Sequence, residues 1–223
     1  MPQIDQTFFG YPVRREQWRI AGELFDLTWP ADMDALLDDP KTHERFNRDE
    51  FMPYWAQPWP ASVMLAETIL SDEAGGGRRA ADLGCGIGLV ALAASRRGWQ
   101  VTAMDYDPDA VAFCESNARN NSVKLEAAAV VDYRTLWTQD RFDAVFAADL
   151  LYERRLTEPV VAWIASALKA DGFALLSDPN RSAADAFPEV ARAAGFQVEV
   201  RDVATTVPGC LPTIGRVWRL SVA

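Results

Sequence analysis

From about position 80 onward, short apolar runs alternate with longer stretches in which apolar residues recur every three or four positions. Residues 80–83, 100–104, 125–131, 142–147 and 173–177 have the length and composition of buried strands. Residues 89–97, 109–120, 156–168 and 183–194 carry the helical period. Glu158-Pro159 supplies a start signal and Gly195 a stop. Residues 197–203 and 216–222 close the chain with no helix between them, which predicts an antiparallel pair. The expected fold class is α/β. It is a doubly wound, Rossmann-like sheet of seven strands, mostly parallel with an antiparallel C-terminal strand, with helices on both faces.

Residues 1–60 have a different texture, with seven of the chain's 13 prolines and an aromatic cluster near position 55. Residues 17–27 predict a β-hairpin turning at Ala21-Gly22, and residues 32–37 a short helix. Met52-Pro53-Tyr54-Trp55-Ala56-Gln57-Pro58-Trp59-Pro60 excludes a regular helix or central strand, because proline removes backbone donors and fixes φ. It reads as a rigid aromatic loop leading into a helix over 61–70. The expected organisation is an N-terminal extension, 1–60, and a ligand-binding domain, 61–223. Gly75-Gly76-Gly77 reads as a flexible joint.

Charge and composition narrow the chemistry. Lys plus Arg number 22 against 32 Asp plus Glu, a net charge of −10. That argues against a nucleic-acid partner, which needs clustered positive charge. It suits a cationic or lysine-bearing substrate, and equally simple solubility. Three cysteines without a CxxC spacing and a single histidine predict no metal site and no Ser-His-Asp or Cys-His engine. His43 lies in a charged stretch and reads as a surface residue. The N-terminus lacks a basic region followed by an apolar run, and no run of 18 apolar residues occurs. The expectation is a cytoplasmic protein without membrane contact.

The strongest local signal is Ala81-Asp82-Leu83-Gly84-Cys85-Gly86-Ile87-Gly88-Leu89, which follows a predicted strand and opens a predicted helix. Such a loop lies where ligands bind in a doubly wound sheet, with the free N–H groups of a helix behind it. A dinucleotide fingerprint would place its third glycine at position 89, which is Leu89. Asp105 stands 21 residues past Gly84, at the end of the second predicted strand. A carboxylate there accepts ribose hydroxyls and repels phosphate. The pattern therefore reads as a nucleoside site for a cofactor without a diphosphate, or else as a tight turn alone. Asp107 and Asp109, flanking Pro108, read as turn and helix-cap residues.

At this point the chain resembles the class I, seven-strand S-adenosylmethionine-dependent methyltransferases over about residues 78–222. The resemblance implies that Asp82, Gly84, Cys85, Gly86 and Gly88 hold the methionine part of S-adenosyl-L-methionine. It implies that Asp105 takes the ribose, Tyr106 lies against the adenine, and Val131-Asp132 reach its edge. Asp149-Leu150-Leu151-Tyr152 follows the fourth strand of the domain, and Pro53-Tyr54-Trp55-Ala56-Gln57-Pro58-Trp59-Pro60-Ala61 stands upstream. Downstream are Ser177-Asp178-Pro179-Asn180-Arg181 and Arg216-Val217-Trp218-Arg219-Leu220. This set is similar to the family-16 methyltransferases and to the bacterial predicted nicotinamide N-methyltransferases, a branch with the lysine methyltransferases of the electron-transfer flavoprotein beta subunit. The resemblance implies that Asp149 and Tyr152 line a target-amine pocket and that Trp59 packs near the cofactor. The chain departs from nucleic-acid amino-methyltransferases in having no proline after the fourth strand, and from many relatives in having Asp132-Tyr133 where they carry Asp-Trp.

Methyl transfer from a sulfonium is an in-line displacement, so the protein must align a neutral amine with the methyl group. Asp149 can orient the amine and stabilise the charged product, while Tyr152 and Trp59 offer aromatic faces to a cation. The plainer alternatives are that Asp149 caps a turn and that Tyr152 and Trp59 only pack. The expected activity is N-methylation of lysine side chains in a protein partner. The alternatives are a small amine or nicotinamide-like acceptor, and a catalytically silent cofactor-binding module.

Overall fold

The computed structural model describes residues 6–50 and 52–222. The chain opens with a three-stranded antiparallel sheet: β1 (Gln6–Phe8), β2 (Tyr11–Ile20) and β3 (Glu23–Pro30). Ala21 and Gly22 both take positive φ, 46° and 88°, the geometry of a two-residue hairpin turn that matches strand twist. The hairpin is longer than its sequence pattern predicts, and β1 is too short to have shown one. Two helices follow, α1 (Met33–Leu37), the expected short helix, capped by Asp32, and α2 (Pro40–Asp49). The sequence reading omits α2, because its residues are mostly charged and polar and show no apolar stripe. His43 is exposed there.

The main sheet comprises β4 (Arg79–Leu83), β5 (Gln100–Asp105), β6 (Ala127–Val130), β7 (Phe142–Ala148), β8 (Leu168–Asp178), β9 (Phe196–Thr205) and β10 (Thr213–Val222). Its order is β6-β5-β4-β7-β8-β10-β9, and β10 runs antiparallel to both of its neighbours. The chain winds outward from β4 in one direction and from β7 in the other. Their carboxyl ends therefore flank the crevice where ligands bind in such sheets.

Five helices cover the main sheet: α3 (Pro60–Asp72), α4 (Leu89–Arg96), α5 (Pro108–Asn120), α6 (Thr157–Ala167) and α7 (Phe187–Ala193). Strand alternation sorts the core. Ala144 and Phe146 of β7 pack with Leu65, Ile69, Val90 and Cys114 from α3 to α5, while Val145 and Ala147 pack with Trp163, Ile164 and Phe187 of α6 and α7. The helix expected over 183–194 is split: a 3-10 turn at Ser182–Ala184 precedes α7, whose first turn contains Pro188. A proline is accommodated at a helix start and not in its interior, which sets the break.

The N-terminal sheet shares an apolar core with α3, α4 and α5, in which Phe25, Leu27, Val63, Leu92 and Phe113 are buried together. Two amides lock it in register. The Asn117 side chain accepts from Thr28 N–H at 2.8 Å and donates to Thr28 O and Ile87 O, each at 2.9 Å. Asn121, one turn on, accepts from Asp26 N–H at 2.9 Å and donates to Asp26 O at 2.7 Å. Residues four apart on a helix rise about as far as residues two apart on a strand, so α5 presents two amides to the edge of β3 as a neighbouring strand would. Replacing Asn117 with Ala strands three buried backbone groups, and the expected loss is about 2–4 kcal/mol in urea unfolding. Asn121→Ala, less buried, should cost less.

Candidate active site

A cavity of ≈ 390 Å³ opens at the carboxyl ends of the central strands. Its walls are the loop after β4, the ends of β5 and β7, and the aromatic segment that precedes α3. Of the residues singled out in sequence, Asp82, Gly84, Cys85, Gly86, Asp105, Tyr106, Val131, Asp132, Asp149, Tyr152 and Trp59 all line it. Gly88 does not. It caps α4 with φ 92°, and a Cβ there would lie 2.6 Å from Cys114 Sγ. Close packing of α4 on α5 therefore explains this glycine. Gly84 is similarly constrained by Leu150, whose Cδ2 would sit 2.3 Å from an added Cβ. Cys85 carries the sheet pattern onward, its N–H donating to Met104 O at 2.8 Å. Contact with Cys114 and burial push its thiol pKa up, so it stays protonated.

Two carboxyl groups form the floor. Asp105 holds the loop from beneath: Oδ2 accepts from Gly86 N–H at 2.9 Å and Oδ1 from Asp107 N–H at 3.0 Å. Burial raises its pKa to about 6 against the pull of these donors. Asp82, at the end of β4, is buried and leaves Oδ2 without a hydrogen-bond partner. Burial, aided by the charge of Asp105, raises its pKa to about 8. An orphaned carboxyl oxygen in a cleft is completed by a cationic or hydrogen-bond-donating ligand. S-adenosylmethionine carries an ammonium, a sulfonium and two ribose hydroxyls, and the donor set fits it.

At the neighbouring end of the cleft, the structure commits side chains that the sequence reading left open. Arg134 binds Asp132 through two parallel bonds, Nε–Oδ1 and Nη2–Oδ2, each 2.8 Å, and holds its carboxyl below the usual range. The same guanidinium lies 4.9 Å from the centre of the Tyr106 ring, whose hydroxyl donates to Asp49 of α2. The carboxylate expected at the adenine edge is thus engaged by an arginine. Asp107 and Asp109 take their expected turn and cap places, and they also receive the N-terminal segment. Asp107 Oδ2 accepts from Arg45 and from Trp55 Nε1, both at 2.8 Å, and Asp109 accepts from the Tyr11 hydroxyl at 2.6 Å.

The opposite end carries the Asp-x-x-Tyr pair. Asp149 is buried with φ 58°, a left-handed conformation that a non-glycine residue holds only under local constraint. Tyr152 meets Tyr54 edge-on at 5.1 Å, and Tyr54 meets Trp59 at 6.3 Å. Burial raises the Tyr152 phenol well above its ordinary value, and its neighbour Tyr133 adds to the shift. This end is an aromatic wall beside the Asp149 carboxylate, which Arg181 reaches from the loop after β8; Glu153 also lines the cavity.

The fold is the one seen in solved S-adenosylmethionine-dependent methyltransferases. Residues 80–172 match the family described as a methyltransferase domain. The electron transfer flavoprotein beta subunit lysine methyltransferase of Danio rerio is 32% identical over 133 residues, 58% of this chain and 51% of that one. The ubiquinone biosynthesis O-methyltransferase of Xanthomonas campestris is 37% identical over 115 residues, 48% of this chain and 46% of that one. The chain thus spans about half the length of these curated relatives. Among solved structures, the 16S rRNA N2 G1207 methyltransferase of T. thermophilus, in complex with AdoMet and guanosine, superposes with a TM-score of 0.64 at 18% identity. It covers 95% of this chain and 51% of that one, a likeness of fold.

The raised Asp82 pKa has a directional consequence. Folding retains a proton on this carboxyl, so its contribution to stability is complete at acid pH and is lost as pH rises through about 8. Asp82→Asn should therefore raise the melting temperature of the ligand-free protein more at pH 8.5 than at pH 5, while weakening binding of S-adenosylhomocysteine. Melting curves that shift equally at both pH values would contradict the assignment.

Proposed function

We propose that this chain is an S-adenosylmethionine-dependent N-methyltransferase acting on lysine side chains of a protein substrate. The observation that carries the reading is the Asp149–Tyr152 pair, set with Trp59 and Tyr54 at the end of the cleft beyond the glycine loop. The similarity to lysine methyltransferases of the electron transfer flavoprotein beta subunit supports a protein acceptor.

In this reading Asp82, Gly84, Cys85 and Gly86 hold the methionine part of the cofactor, and Asp105 takes the ribose hydroxyls. Tyr106, Val131 and Asp132 border the adenine. Gly88 contributes by setting the start of α4. When bound, the cofactor supplies an electrophilic methyl group on a positively charged sulfur. The task of the chain is alignment, which brings the amine lone pair in line with the methyl carbon and excludes water from that line. Tyr152 stays a neutral phenol and serves as a hydrogen-bonding and aromatic surface. The aromatic wall is suited to a methylated ammonium, a contact worth roughly 0.5–2 kcal/mol per ring.

One observation favours a small amine as the alternative acceptor: Asp49, Glu50, Met52, Tyr54 and Trp59 of the N-terminal segment border the cleft. One experiment separates the two. A cell extract treated with the enzyme and deuterated-methyl cofactor is analysed by mass spectrometry, and the expected outcome is a deuterated methyl mark on lysine in a protein. A label confined to small molecules would favour the alternative, and no label in either fraction would overturn methyl transfer to amines. Asp149→Ala should leave S-adenosylhomocysteine affinity near wild type and lower kcat/KM by about tenfold or more, equivalent to about 1.4 kcal/mol. Unchanged turnover would remove Asp149 from the site.

A further inference from the structure

Asp149 does not face the cleft as an open carboxylate. Arg181 spans both of its oxygens, Nε to Oδ1 at 2.7 Å and Nη2 to Oδ2 at 2.8 Å, the bidentate geometry for which a guanidinium is suited. Both partners are fixed by their own backbones. Asp149 N–H donates to Ser177 O at 2.9 Å. Arg181 N–H donates to Oδ1 of the buried Asp178 at 2.7 Å, and Arg216 donates to Arg181 O at 3.0 Å. The guanidinium lies 5.8 Å from the centre of the Trp59 ring, against the aromatic wall. One ion pair thus joins the loops after β7 and β8 at the acceptor end of the cleft.

The other carboxylates around this pair share their guanidinium partners. Arg216 lies 3.0 Å from Asp185 and 3.5 Å from Asp178, Arg155 pairs with both Glu153 and Glu50, and burial keeps the Tyr152 phenol protonated. Each of these carboxylates already has an arginine partner, with which an incoming ammonium would have to compete. An ammonium could reach Asp149 only by exchanging two parallel bonds for a point contact, leaving the guanidinium against Trp59 without its counter-ion. A neutral amine requires no such exchange, and it already exposes the lone pair that methyl transfer consumes.

We propose that Arg181 is a positioning residue that neutralises Asp149, so that the acceptor end of the cleft admits an amine in its uncharged form. The inference rests on the amine-acceptor reading above. In the step it describes, an alkylammonium in water gives up one proton to the buffer and the free amine is bound; no other bond forms or breaks.

The test uses n-butylamine, which reproduces the end of a lysine side chain. It is titrated calorimetrically into the wild-type protein saturated with S-adenosylhomocysteine, at pH 8, in buffers of different ionisation enthalpy. A lysine-type amine is almost wholly protonated at that pH, so the expected release is about one proton per amine bound. In Arg181→Met the exposed carboxylate should accept the ammonium directly. Release should fall toward zero and affinity at pH 7 should rise by about tenfold. Arg181→Lys should retain most of the proton release, which a purely structural role would not predict. Binding to the wild type without proton release would overturn this inference and leave the amine reading standing. Absence of binding at every pH would overturn both. The wild-type measurement does not depend on any variant folding.

Discussion

The structure depends on one constraint, the placement of two carboxyl groups, Asp82 and Asp105, at the ends of adjacent parallel strands beneath a glycine loop. Burying both without a compensating cation is unfavourable, and the chain leaves that cost in place here. Asp105 offsets part of it by accepting from Gly86 and Asp107, which ties the loop to the second strand of the domain. Asp82 offsets less and keeps one oxygen unsatisfied. A site destabilised in this way is poised for a ligand carrying positive charge and hydroxyl donors, since binding completes what folding leaves unmet.

The N-terminal segment completes the same site. Its sheet is held to α5 by two amides, and Asn117 reaches through to Ile87 O inside the glycine loop. Its polar helix and aromatic segment end on the first turn of α5, where Arg45 and Trp55 share the cap residue Asp107 with Asp109 N–H. The cap is therefore a junction between the extension, the helix and, through Asp107 N–H, the Asp105 carboxylate. Changes in the extension should be felt at the glycine loop by this short route.

The legible parts were those whose signal is local. Strand and helix periods, the Gly195 stop and the Ala21-Gly22 turn are written in neighbouring residues, and the sheet with its antiparallel closing strand follows from them. The acid–glycine pattern and Asp105 were legible for the same reason. What stayed hidden depends on partners far apart in the chain. Arg181 meets Asp149 across 32 positions, and Arg45 and Trp55 meet Asp107 across 62 and 52. Helix α2 has no apolar face and is anchored by Arg45, so its period carried no message. Arg134 and Asp132 are near neighbours, but in a loop no regular spacing marks such a pair. Gly88 fits the ligand-loop pattern equally well whether it serves a ligand or a helix contact, and only the distance to Cys114 separates the two.

The most direct test of the cradle is a backbone amide chemical-shift map of the isotope-labelled protein during titration with S-adenosylhomocysteine. The account predicts saturable shifts concentrated at residues 82–87 and 105–107, with smaller changes at 149–152. Shifts that are absent, or that centre away from the carboxyl ends of β4 and β5, would contradict it.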